Sequence, residues 1–306
     1  MFAYCTIEEQ SDGKIRFIAS DVNENAEYSS DYLLPLDGNV DMHKCVYNAL
    51  VNTFNIEPLS FILTTFSDSA PGSGLGSCSA LVVAMLKAFL ELLKLPMDDY
   101  EISRLAYKVG RVDLKISGGK KDQYAAAFGG FNYMEFFGND HAIINTLRIK
   151  RCIIDELEAS MLLYYTGVSR LSAMIIDEQI ANITSDNITT MNAMHSIRQS
   201  SIDMKESLLK GDIVRVADIL RKTWISQKQT ASIICNKNIE HVFEIAISAG
   251  AYAGKVSGAG GGGFIMFMIH PTRRIEIVRE LSTIPGGRVI PFQFNEGGSQ
   301  SWKVNV

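Results

Sequence analysis

The sequence predicts an α+β fold in two domains, on three observations. At 306 residues the chain exceeds the usual size of one compact domain. Its 47% hydrophobic and 21% charged content is that of a globular protein with ample core. Its second half reads strand, helices, strand, helix, strand, a layered α+β order. The expected division is 1–153 and 154–306, with a junction near Arg148 to Glu158 that no Pro/Gly linker marks.

The elements follow in order. Phe2 to Glu8 and Lys14 to Ser20 carry β-branched and aromatic residues and are separated by Ser11-Asp12-Gly13, a hairpin-type turn. A helix over Met42 to Phe54 and a short strand over Leu59 to Thr65 lead to the loop from Asp68 to Ser77. Cys78 to Leu95 is apolar almost all round, the pattern of a buried helix, and Pro96 ends it. Asp98 with Glu101 has the form of a capping box and opens a helix running to about Val112. The loop Ser117 to Asp122 precedes a short Ala-rich helix, and Gly129-Gly130 turn the chain into the strand Phe131 to Phe136. Met161 to Thr166 is a strand, followed by three or four helices between Ser172 and Gly250. Gly254 to Ile269 is a glycine loop and then a strand from Phe264, followed by a helix over Pro271 to Ser282 and a strand over Arg288 to Phe294.

Composition excludes several classes. No apolar run is long enough to span a bilayer, and Met1 to Glu9 lacks the pattern of a signal peptide, so a cytoplasmic location is expected. Five scattered cysteines without C-x-x-C argue against disulfides and a zinc site, and read as reduced, mostly buried thiols. A net charge of −5 with no basic stripe makes nucleic acid an unsuitable partner. The five histidines share no motif and are assigned no chemistry.

The stretch Pro71-Gly72-Ser73-Gly74-Leu75-Gly76-Ser77-Cys78-Ser79-Ala80 carries the main signal. Alternate glycines let backbone approach a ligand, and the helix that follows offers unpaired N–H groups and a positive dipole end, where an anion belongs. The plainer alternative is a turn that merely joins a strand to a helix. A P-loop needs Gly-Lys-Ser/Thr, which is missing, and a dinucleotide fingerprint needs a glycine where Ser79 sits and an acid after a second strand. Those absences disfavour an NAD-dependent oxidoreductase. Gly258-Ala-Gly-Gly-Gly-Gly263 satisfies G-x-G-x-x-G formally but opens a strand, so its glycines, Gly258, Gly260 and Gly261 among them, are expected to approach the nucleotide or the first loop, against an alternative of tight packing between strands.

With both loops in place the sequence resembles the GHMP kinases. Their second motif is similar to Pro71 to Ala80 and their third to Lys255-Val-Ser-Gly-Ala-Gly-Gly-Gly-Gly-Phe264, a highly specific pair. Ser117 to Glu135 and Tyr165-Thr-Gly-Val-Ser-Arg170 are closer still to the branch of bacterial D-glycero-D-manno-heptose 7-phosphate kinases. The resemblance implies an N-terminal α/β sandwich-like domain with the ATP phosphate loop and a C-terminal ferredoxin-like α+β domain with the second glycine loop. It implies ATP and Mg²⁺ as cofactors and γ-phosphoryl transfer to the anomeric hydroxyl of a heptose 7-phosphate. Asp122 becomes the general base or orienter of that hydroxyl, with a helix N-cap as the alternative role. Lys120, Lys121 and Gln123 fall on the substrate side, with a merely solvated charge as the alternative for one of the lysines, and Arg170 either grips the distal phosphate or forms a surface ion pair.

Three departures fall on the catalytic apparatus. The family's opening glycine-rich motif has no counterpart in these residues, which leaves sugar contacts incomplete. The family's magnesium-binding serine aligns with Cys78, a soft ligand for a hard ion, with Ser77 or Ser79 as the partial substitute. The metal-binding glutamate aligns with Gly110, and Asp113 on the same helix is rotated off that face. The competing reading is an impaired kinase homologue that binds nucleotide without turnover. Oligomeric state is left open.

Overall fold

The computed structural model describes residues 1–138, 140–168 and 172–304. The first half is built on a four-stranded sheet of β1 (Ala3–Glu9), β2 (Lys14–Ala19), β3 (Glu24–Ser29) and β4 (Phe61–Ser67) in the order β1-β4-β2-β3. The Ser11-Asp12-Gly13 connection is therefore no hairpin turn: β4 lies between β1 and β2, antiparallel to one and parallel to the other. Burial explains the insertion. Phe61 and Leu63 of β4 and Ile15 and Phe17 of β2 are almost fully buried and take the centre, whereas β1 and β3, exposed at alternate positions, take the edges.

One core cluster joins this sheet to α1 (Asp41–Phe54), α2 (Ser77–Leu93), α3 (Asp99–Tyr107) and α4 (Lys121–Phe128). The capping box opening α3 is formed in both directions between Asp98 and Glu101. The helix does not stay α-helical to Val112. Lys108–Asp113 is a π-helical turn in which Leu114 N donates to Val109 O at 3.0 Å. A glycine and two β-branched residues in that turn, Gly110, Val109 and Val112, weaken the α-helix there.

A ribbon of β5 (Asn132–Phe136) and β6 (Ala142–Thr146), the latter unforeseen, leads to α5 (Arg151–Ser160), which occupies the expected junction. The second sheet comprises β7 (Met161–Tyr165), β8 (Ala251–Val256), β9 (Phe264–Ile269) and β10 (Arg288–Ile290) in the antiparallel order β10-β7-β9-β8, the ferredoxin-like arrangement. Four helices separate β7 from β8, namely α6 (Ser172–Thr184), α7 (Ile188–Lys210), α8 (Ile213–Lys228) and α9 (Lys237–Ser248). A 3₁₀ turn at Pro271–Arg273 and α10 (Arg274–Leu281) precede β10. Sequence reading placed Gly254 in a loop, but β8 is a strand ahead of the glycines: Gly254 opposes Phe267, where an added Cβ would stand 2.6 Å from the ring. Lys255 follows on that same strand, opposite Met266.

The cysteines are all free, yet only Cys45 is buried; Cys78 and Cys152 are exposed, which corrects the expectation of mostly buried thiols. Among the described residues no helix is long and apolar enough to cross a membrane.

Candidate active site

The first glycine loop leaves the buried strand β4 and enters α2. Its start is tied down by serines: Ser67 Oγ donates to Ser69 O at 3.0 Å, and the Ser69 and Ser73 hydroxyls meet at 2.5 Å with Ser73 fully buried. Pro71 and Leu75 lie at the surface, and Gly72, Gly74 and Gly76 all take positive φ. Gly76, at φ 75°, is the N-cap of α2 and offers no side chain to its first turn. The first intrahelical bond runs from Ala80 N to Gly76 O at 2.9 Å, so the N–H groups of Ser77, Cys78 and Ser79 precede any intrahelical acceptor. An anion is the partner that such a helix start suits.

The second loop lies directly on the first. Ser257 Oγ donates to Gly74 O at 3.1 Å, and Phe264 N donates to Ser73 O at 3.1 Å. A Cβ on Gly74 would stand 2.6 Å from Ser257 O, and one on Gly263 would stand 2.1 Å from Ser73 O, so only hydrogen at both positions permits this backbone contact. Gly258 likewise faces Gly74, whereas Gly260 and Gly261 pack on Ile234, whose carbonyl accepts from Gly261 N at 2.8 Å. Thr166 and Val168 clasp the far end: Thr166 N donates to Gly263 O at 2.9 Å and Gly263 N to Val168 O at 2.8 Å. Arg170 lies outside the described residues. Two residues that no motif announced brace the loop from below, Gln227 through Gly258 O and Ala259 O at 2.9 and 3.1 Å, and Asn236 through Gly261 O at 3.1 Å.

Asp122 reaches this junction from α4. It is the second residue of the helix; Lys120 holds the N-cap position, so Asp122 is not the cap. Lys121 Nζ stands 3.6 Å from its carboxylate. Lys120 is engaged elsewhere, paired with Asp140 and lying over the Tyr107 ring at 5.0 Å. Gln123 is buried with its Oε1 unpartnered among the described residues, and its Nε2 is 4.0 Å from where a Gly110 Cβ would stand. Lys255 completes the set: half-buried, its Nζ donates to Val256 O at 2.9 Å, and burial, then the neighbouring Lys121 charge, bring its pKa down to about 8. Its strand was hidden in the sequence, and the residue was therefore missed there.

The Mg²⁺ implied by the family finds few donors. Cys78 is exposed, and its thiol pKa is still pushed up, chiefly by burial of the sulfur, so it stays protonated and soft. Gly110 supplies nothing, and the π turn carries Asp113 towards α1, where it helps burial raise the Cys45 thiol to about 11. Among the described residues no three His, Cys, Asp or Glu side chains are grouped to hold a metal. The residues present do not fit a protein-held ion.

A cavity of about 180 Å³ runs from Ser77 and Cys78 to Thr65 and His43. His43 is buried, with Nε2 2.8 Å from Thr65 Oγ1 and Nδ1 unpartnered among the described residues, and burial lowers its pKa to about 4, so the ring is neutral. Apolar walls from Ala19, Val40, Met42 and Leu81 line the same space. A more open cavity of about 340 Å³ between α9 and α10 contains none of the loop residues.

Comparison with known proteins agrees with this geometry. Residues 41–130 match the GHMP kinases N terminal domain and residues 204–285 match the GHMP kinases C terminal region. The chain is 44% identical over 99% of its length, and 89% of the relative's, to the D-glycero-alpha-D-manno-heptose 7-phosphate kinase of Campylobacter jejuni. It superposes with a TM-score of 0.83 and 47% identity, covering 99% of this chain and 88% of the other, on a crystal structure described as a D-glycero-D-manno-heptose 1-phosphate kinase from Bacteroides thetaiotaomicron. Lactococcus lactis galactokinase, solved with galactose, shares the fold at a TM-score of 0.76 and 14% identity, over 98% of this chain and 87% of that one.

Proposed function

Since the chain belongs to the GHMP kinase family, we propose that it transfers the γ-phosphate of ATP to the anomeric hydroxyl of D-glycero-D-manno-heptose 7-phosphate in the cytoplasm. The observation that carries the reading is the junction of the two glycine loops at the mouth of α2, with Asp122 packed against Gly76. The backbone of Gly74 to Ser79 would receive the terminal phosphates, and the cavity towards His43 and Ala19 would take the nucleoside. Phosphoryl transfer asks chiefly for positioning and charge compensation. Asp122 would orient the acceptor hydroxyl and take its proton, while Lys121 and Lys255 would meet the acceptor's own phosphate. Lys120, held by Asp140 and packed over Tyr107, is turned away from the acceptor in this reading. Gln123, buried beneath, would support Asp122 from within α4, and Arg170 would extend the substrate side. Mg²⁺ is not assigned a protein ligand set.

A coupled assay of ADP release with ATP and heptose 7-phosphate tests this, with ³¹P NMR of the product to locate the new phosphate. The names of the two heptose kinase relatives differ over the phosphate position, and the NMR spectrum decides between anomeric and other transfer here. ATP binding without ADP release would favour the second reading, a nucleotide-binding homologue without turnover, which a thiol at Cys78 and the lack of a side chain at Gly110 support.

A further inference from the structure

We propose that Arg111 is a resident phosphate-binding cation of this site, reaching the terminal phosphates of the bound nucleotide at the mouth of α2, where the metal's protein ligands are missing. The proposal rests on the kinase reading above. Arg111 projects from the π turn, which packs on α1 and α2. Its guanidinium lies across Gly118: a Cβ there would stand 2.5 Å from Arg111 Cζ and 2.6 Å from Nη2, so the Ser117–Lys120 loop can host the group only because position 118 has no side chain. The group is held loosely for so close a fit. Nη1 donates to Ile116 O at 3.3 Å, Nε is buried without a partner, and no carboxylate pairs with it among the described residues.

An arginine fork with spare donors and no counter-ion is suited to an oxyanion, and a buried donor left unmade is a standing cost that a ligand would relieve. Gly118 stands four residues before Asp122, whose side chain packs against Gly76, the N-cap of α2, and the π turn that carries Arg111 packs on α2 itself. The loop that hosts the guanidinium thus adjoins the start of α2 and its open N–H groups, where positive charge favours a bound phosphate. Cys78 and Gly110 need no longer be losses. With the charge supplied covalently, a serine hydroxyl and a glutamate at those positions have no ion to hold.

The test is calorimetric titration of the full chain with ATP, in EDTA and in Mg²⁺. The wild-type Kd is expected to differ by less than about fivefold between the two conditions, and Arg111→Met to weaken binding in EDTA by roughly tenfold or more, the weight of one charge-assisted pair, with Arg111→Lys in between. Gly118→Ala, which keeps the arginine but displaces its guanidinium, is expected to give a similar loss and decides the matter if Arg111→Met does not fold. Cys78→Ser with Gly110→Glu should introduce Mg²⁺ dependence of binding. The proposal is overturned if Arg111→Met and Gly118→Ala bind ATP as the wild type does, or if wild-type binding requires Mg²⁺. A wild-type chain that binds ATP in neither condition overturns the kinase reading itself, whatever the arginine does.

Discussion

Asp122 packs against Gly76: the Cβ that Gly76 lacks would stand 3.1 Å from Asp122 Cβ and 3.2 Å from its Cγ. Forty-six residues apart in sequence, the N-cap of α2 and the carboxylate of α4 share one surface, so whatever α2 holds is presented to Asp122. Removing the charge while keeping the shape isolates its role. Asp122→Asn is expected to lower kcat by about 10²-fold or more, the weight of a general base, while the Kd for ATP by calorimetry stays within about threefold. An equal loss in both would place Asp122 in nucleotide binding instead.

Gly76 itself is predicted to tolerate little. At φ 75° an alanine is strained by roughly 1–2 kcal/mol, and its methyl would press on Asp122. Gly76→Ala should therefore lower both the melting temperature and kcat. Gly76→Asn accepts the left-handed backbone more readily, and it should lose activity with a smaller fall in melting temperature. A Gly76→Asn enzyme with full kcat would show that the contact with Asp122 does not matter.

The contact between the loops gives a stability prediction. At Gly263 a methyl would stand 2.1 Å from a backbone carbonyl that cannot move without dragging the first loop. Gly263→Ala should cost about 2 kcal/mol or more in urea unfolding, whereas Gly138→Ala, with nothing within 4 Å of the new methyl, should stay within about 0.5 kcal/mol. Equal effects would mean that the loops are not pressed together in solution.

Lys255 makes the pH dependence specific. Its folded pKa is about 8 against an unfolded value near 10.5, so between those values the unfolded chain holds a proton that the folded chain has lost. This residue's contribution to stability therefore rises from about pH 8 to 10.5 and is lowest below pH 8. Lys255→Met should flatten that slope and raise stability at pH 7 by on the order of 1–2 kcal/mol, read from denaturation curves at several pH values. If the acceptor's phosphate settles between Lys121 and Lys255 it restores the charged form, and binding at pH 8.5 should take up a proton, seen as a heat that depends on the buffer. Binding without proton uptake would separate Lys255 from the acceptor phosphate.

Much of this was legible in the sequence because it is local. The Asp98–Glu101 box needs two side chains three residues apart, and α2 shows itself by apolar residues on every face. The first loop's anion-suited shape follows from alternate glycines and a helix start. Non-local features were misread. A turn of the right composition between β1 and β2 looked like a hairpin, because nothing in residues 1–20 says that Phe61 and Leu63 will claim the place between them. β8 was lost for a similar reason: Gly254, a strand-weakening residue in isolation, is required by the ring of Phe267 on the neighbouring strand.

The amino-acid sequence by itself determined which segments suit a phosphate, since glycine alternation, an apolar helix and an acid before an Ala-rich turn are properties of short segments. Only the tertiary structure decided which charges share that space. Burial withdraws Lys255 from water within reach of the Lys121 charge, Asp140 draws Lys120 away, and the π turn sends Asp113 to α1 while laying Arg111 over Gly118. Electrostatic environment depends on distances between segments far apart in the chain, and those distances exist only once the two glycine loops have closed on each other.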